Sequence, residues 1–167
     1  MKRIYLHIFF LFISLNIVAQ NTATSFDVAG IKVILKPTIK EVIDVNMYFR
    51  GGVTNYPAEK AGLENITLAA ATECGTRKYT GNAYRTKAET YGIDLGGSST
   101  YDFGLISMNC ISKFFNEGWD LFAEAVTNPV FEQREFGMLK DKVISGIKQA
   151  ESDPDERIEQ LTMQNAF

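Results

Sequence analysis

Histidine is almost missing from this chain: its 167 residues contain one, His7. That residue interrupts an apolar stretch, "IYLHIFFLFISLNIVA", which follows a short basic start of Lys2 and Arg3. The stretch is 16 residues long and also broken by Asn16, short of the ~20 apolar residues that span a bilayer. Val18-Ala19-Gln20 places a small residue at its end, so residues 1–20 read as an export signal cut after Ala19 or Gln20, not as a stable membrane anchor. No cysteine lies near the cut to carry a lipid. The mature chain, residues 21–167, is then expected to hold no histidine, which excludes any imidazole-based site within it.

Other scarcities narrow the function further. The two cysteines, Cys74 and Cys110, match no zinc knuckle or redox pair. Both sit among apolar residues and read as buried free thiols, although export would permit a disulfide. Lysine and arginine number 17 against 20 acidic residues, and loss of Lys2 and Arg3 leaves 15, a mature charge of about −5. A nucleic-acid partner, which needs clustered positive charge, is excluded on that balance. No repeat, linker or low-complexity run interrupts the chain, whose length suits one domain with a real core.

What is present is well patterned. "TSFDVAGIKVILKP" predicts two short strands turning at Ala29-Gly30. In "EVIDVNMYFRGG", Ile43, Val45, Met47 and Phe49 alternate with more polar neighbours, predicting a strand with one buried face. A helix is expected from Pro57 to just before Gly75, apolar nearly all round and therefore buried. A shorter helix spans Asn82 to Tyr91. Strands at Ile93–Tyr101 and Phe103–Ile111 form a hairpin around Tyr101-Asp102. Phe115, Trp119, Phe122 and Val126 recur at helical spacing until Asn128-Pro129, and Phe136, Leu139, Val143, Ile147 and Ala150 form the next stripe. Both stripes read as core faces, and Asp153-Pro154 opens a last amphipathic stretch. The order predicts an α+β fold, an antiparallel-rich sheet with helices on one face.

The run "YFRGGVTNYPAEKAGLENITLAAATECGTRKYT" resembles the opening of the insulinase/pitrilysin-type metallopeptidases, which include the mitochondrial processing peptidases. Gly51-Gly52, the bend from Pro57 to Lys60, Gly62-Leu63 and Gly75-Thr76 stand in the order of that family's zinc helix. "AETYGIDLGGSSTYDFGLISMNC" is similar to its central hairpin. "FFNEGWDLFAEAVTNPVFEQREFGMLKDKVISGIKQAESDPDERI" is similar to its helix, Asn-Pro-x-Phe turn and long helix.

The resemblance implies an inverted His-x-x-Glu-His zinc motif, and here the sequence departs from it. Aligned from Gly62-Leu63, the histidine positions fall on Asn65 and Ala69 and the catalytic glutamate position on Leu68. The family's third ligand, a later glutamate, falls on Gly146 when counted from Ala69. A register shifted by one residue gives Ile66, Ala69 and Ala70. Catalytic zinc takes three protein ligands and an open position for water, beside a carboxylate that accepts the water's proton. Leu, Ala and Gly supply neither, so no metal and no catalytic residue is expected in this chain. Zinc is expected only in a partner. "GLENIT" resembles degenerate members of the family, and this resemblance implies a non-catalytic partner of a zinc-bearing paralogue, closing a chamber around extended peptides. A non-enzymatic peptide-binding or assembly module and a truncated remnant are the alternatives, and an active metallopeptidase comes last.

The remaining expectations concern single features. Gly96, Gly97, Ser98 and Ser99 stand where active members dock an extended peptide by strand addition. They are expected to form a weakened docking edge or, as the favoured reading, a glycine-rich bulge. Asn65-Ile66-Thr67 is formally a glycosylation sequon, but it lies on a helix expected to be buried. Asn65 and Thr67 are instead expected to hydrogen-bond within the former metal cavity. Glu73 is expected to be solvated. Because family domains continue with a further strand and helices, the chain is expected to be a fragment or a truncated product, localised to the periplasm or secreted.

Overall fold

The computed structural model describes residues 23–166. The expected export signal, its cleavage point and His7 lie outside the described residues. The chain divides into two units at residues 40 and 41.

The first unit is an antiparallel hairpin of β1, Thr24–Val28, and β2, Ile31–Leu35, in register from Thr24↔Leu35 to Val28↔Ile31. Its two-residue turn has positive φ at both Ala29 (49°) and Gly30 (83°). That geometry matches the right-handed twist of the strands and is costly for alanine.

The second unit holds a three-stranded antiparallel sheet in the order β3-β5-β4. The strands are β3 (Val42–Arg50), β4 (Asp94–Ser99) and β5 (Phe103–Ile111). Their registers put Ile43, Val45, Met47 and Phe49 on one face with Ile106, Met108 and Cys110 of β5 and Leu95 of β4. Helices cover that face: α1 (Leu63–Glu73), α2 (Gly81–Tyr91) and α3 (Phe115–Thr127). Their contributions to the core are Ala71, Tyr84, Leu121, Phe122 and Ala125. The expected α+β layering is therefore present. Two further helices follow, α4 (Gln133–Ser152) and α5 (Pro154–Ala166).

Local chemistry sets most boundaries. The Thr80 hydroxyl accepts from the Ala83 N–H to start α2, and Gly92 at φ 60° ends it. Asp153 accepts from the N–H groups of Asp155 and Glu156, which opens α5 where the sequence predicts. Two expected boundaries need correction. The helix expected from Pro57 begins only at Leu63, because Gly62 adopts a left-handed conformation (φ 82°) that no continuous right-handed helix passes through. Residues 58–60 form a separate 3₁₀ turn. Strand β4 is shorter than expected because the Ile93 N–H closes α2 and Thr100 already turns, exchanging hydrogen bonds with Phe103.

Three stripes are also less buried than expected. In α1 only the C-terminal half is enclosed: Leu68 and Ala71 face the sheet core, while Ala70 and Cys74 pack with Leu139, Phe136 and Val143 of α4. Leu63 is 51% exposed. Trp119 of α3 is 48% exposed, stacked between Phe115 and Phe122 at centroid distances of 5.9 and 5.8 Å. In α4 only Leu139 is fully buried, and Ile147 is exposed. Cys74 and Cys110 are both buried free thiols, and burial pushes each thiol pKa up, favouring the protonated form.

One polar cluster ties the turn after α1 to α2 and α3. Asp120 accepts from Lys78 Nζ at 2.6 Å, the Tyr79 hydroxyl at 2.7 Å and Lys87 Nζ at 2.9 Å. Partial burial raises the Asp120 pKa, but these three donors outweigh it and hold the carboxyl well below its usual range. A depressed folded-state pKa adds stability above the unfolded carboxylate value of about 3.9 and loses it as pH falls toward the folded value. Asp120→Asn should therefore lower the urea midpoint at pH 7. Its deficit relative to wild type should shrink progressively below about pH 4. Urea titrations at pH 7 and at successively lower pH check this, and a deficit independent of pH would contradict it.

Candidate functional site

The segment that would carry chemistry runs from the end of β3 through Gly51-Gly52 and into α1. Its first helical turn carries two polar side chains, and each accepts from a backbone N–H of a different strand end. Glu64 Oε2 accepts from the Gly52 N–H at 2.7 Å. Its carboxylate lies where side chains on Gly51 or Gly104 would stand, so those glycines form a cradle for it. A negative charge in the first turn of a helix is also favoured by the helix dipole. Asn65 Oδ1 accepts from the Ser99 N–H of β4 at 3.0 Å.

The other residues singled out from the sequence fall into packing positions. Leu68 is half-buried and joins the core between sheet and helices. Ala69 packs with Ala70, Cys74 and Leu139 against α4. Ile66, the alternative ligand position, lies in that same apolar cluster. Gly146 is exposed on α4, and a Cβ there would meet nothing within 4 Å. Asn65 and Thr67, expected inside a cavity, are both exposed. Asn65 does bond across to another element, whereas the Thr67 hydroxyl only donates back to the Leu63 carbonyl of its own helix, at 2.7 Å. Glu73 is not simply solvated: Lys142 of α4 donates to both its oxygens, at 3.1 and 3.2 Å. That cation offsets an acid placed at the unfavourable end of the dipole.

Gly96 to Ser99 form no bulge. They pair one to one with β5, from Gly96↔Ser107 to Ser99↔Gly104. The glycine at 97 answers a different need, because a Cβ there would overlap the Leu68 carbonyl of α1. The helix backbone rests directly on this strand. Beside the site, Arg50, Gly51, Asn55, Tyr56 and Asp102 line an open hollow of about 370 Å³.

Chemically, this arrangement orients backbone. Among the described residues no three His, Cys, Asp or Glu side chains are grouped to hold a metal ion. Leu68, Ala69 and Gly146 carry no side-chain donor atom, and Glu64 Oε2 and Asn65 Oδ1 each accept from a backbone N–H. The residues present do not fit a catalytic zinc, which requires three ligands and a proton acceptor. Glu64 escaped notice in the sequence, where its only signal was an acid just past Gly62-Leu63.

The profile of the family described as Insulinase (Peptidase family M16) matches residues 32–167. The chain belongs to that family. Among solved structures, this M16 chain is similar to a peptidase M16 inactive domain from Pseudomonas fluorescens, with a TM-score of 0.71 and 21% identity. A protease from Helicobacter pylori (TM-score 0.67) and the periplasmic protease PqqL from Escherichia coli (0.66) are each 17% identical to it. These similarities cover 86%, 78% and 88% of this chain, which spans 35%, 32% and 16% of the respective structures. No curated protein sequence matches it. Among the described residues, no helix is long and apolar enough to cross a membrane.

The contact between α1 and β4 makes a sharp prediction for the two adjacent glycines. Gly97→Ala should cost at least about 2 kcal/mol, since the added carbon meets backbone that cannot move aside. Gly96→Ala, whose Cβ meets only Ser107 Oγ at 3.4 Å, should stay within about 0.5 kcal/mol of wild type. Urea denaturation of the two variants checks the difference, and equal costs would contradict the close approach.

Proposed function

We propose that this M16 chain is a non-catalytic, exported partner. It stands opposite a zinc-bearing paralogous subunit or domain and shapes the enclosed chamber in which that partner cleaves extended peptides. The observation that carries this reading is the fate of the zinc helix. Its frame of Gly62-Leu63, helix and Gly75-Thr76 is intact, while Leu68, Ala69 and Gly146 lack any ligating or proton-accepting atom. Catalysis in such a pair would need only one complete set of ligands and one base. The similarity to an inactive M16 domain and to a periplasmic protease supports the reading, as does the N-terminal stretch that reads as an export signal.

The purified chain should bind no stoichiometric zinc and hydrolyse no peptide by itself. Mixed with a His-x-x-Glu-His paralogue from the same genome, it should co-elute with it and raise its peptidase activity. Metal analysis, size-exclusion chromatography and a fluorogenic peptide assay measure the three outcomes. Zinc-dependent hydrolysis by the chain alone, or no gain with any such paralogue, would overturn the proposal.

A further inference from the structure

Strand β4 is an edge of the sheet among the described residues, since the order is β3-β5-β4. An exposed edge is a template for strand addition, because its outward N–H and C=O groups can pair with any extended chain. Which groups point outward follows from the hairpin. The Thr100 N–H donates to the Phe103 carbonyl at 2.8 Å, one bond of a hydrogen-bonded pair whose other N–H, that of Phe103, goes to the Thr100 hydroxyl. In an antiparallel ladder such pairs alternate with pairs whose backbone groups face away from each other. Ser98↔Leu105 and Gly96↔Ser107 are thus bonded pairs, and Ser99, Gly97 and Leu95 direct their N–H groups away from β5. The outward donor at Ser99 is the one that Asn65 takes, at 3.0 Å.

We propose that the Asn65 carboxamide closes the β4 edge to extended peptides at Ser99 by occupying the backbone donor that an incoming strand would use. Asn65 belongs to the first turn of α1, and α1 is held against β4 by the overlap-limited contact of Leu68 with Gly97. The carboxamide is therefore presented by a fixed helix, not by a mobile loop. Its oxygen makes the bond that a peptide carbonyl would make, at a similar length. An added strand must displace it and leave the carboxamide to water, which weakens pairing at this end of the edge. The inference goes beyond the partner role. It predicts that the chain, while shaping a chamber, does not retain peptides on its own sheet.

The test needs no partner chain, so its failure is distinguishable from failure of the partner reading. Asn65 is exposed, and its replacement by alanine removes one contact without opening a cavity. Asn65→Asp keeps an acceptor oxygen in place and serves as the conservative control. The probe is a short fluorescein-labelled peptide of alternating threonine and valine with lysines at both ends, titrated against the full chain by anisotropy. N65A should bind it about fivefold to tenfold more tightly than wild type or N65D, the worth of one regained strand hydrogen bond. The Ser99 amide should exchange faster in N65A than in wild type, and slow again when the peptide is added. Equal affinity in all three proteins, including no binding by any, overturns the proposal, as does a Ser99 amide that exchanges equally fast in wild type and N65A.

Discussion

The close approach of α1 to β4 is the constraint on which the second unit depends. A helix can rest its backbone on a strand only where no side chain intervenes, and Gly97 meets that condition against the Leu68 carbonyl. Gly104 extends the gap on β5, where a Cβ would stand 2.7 Å from Leu68 Cδ1. Once the helix is seated there, its two apolar sides have fixed partners. Leu68 and Ala71 complete the core beneath the sheet, and Ala70 and Cys74 receive Leu139 of α4. The same seating decides where the first turn reaches, bringing Glu64 to Gly52 and Asn65 to Ser99. Packing and polar contacts are thus consequences of one short distance.

Periodicity made most of the fold legible. The alternation in β3, the hairpin of β4 and β5, and the helical stripes of α3 and α4 all appear where their spacing places them, because each is a property of neighbouring residues. The errors fall where a residue answers to something distant. Gly62 looks like any glycine within a helical pattern until its left-handed backbone shows that the helix starts after it. The apolar circumference of α1 suggested complete burial, but its two sides are covered by two different elements over only one half of its length. Gly96-Gly97 suggested a bulge, because nothing in a sequence says that a helix backbone will lie against a strand.

The polar contacts were the least legible, and for a common reason. Glu64 pairs with a backbone N–H twelve residues away, and a backbone donor carries no residue-type signal. Asp120 gathers Lys78, Tyr79 and Lys87 from beyond the helix that bears it, so no local spacing announces the cluster. The candidate site itself was legible as a frame, since Gly51-Gly52, Gly62-Leu63 and Gly75-Thr76 are sequence features. What now occupies that frame required the structure.

The structure also shows why introducing single ligand side chains into this helix would not create a metal centre. Ala69 sits in an apolar cluster with Ile66, Phe136 and Val143, where an imidazole would add volume to packed surroundings and would need a partner for its ring N–H. Leu68 carries its side chain into the sheet core, so a glutamate there would place a charge in apolar surroundings with no counter-ion provided. Asn65 is already committed to Ser99, and the one carboxylate in the first turn, Glu64, is held by Gly52 within its glycine cradle. Asn65, Leu68 and Ala69 are therefore not vacancies awaiting side chains, whereas Gly146 is exposed with open space around it. Hydrophobic packing holds Leu68 and Ala69 and a backbone hydrogen bond holds Asn65, so these side chains of the helix serve the fold.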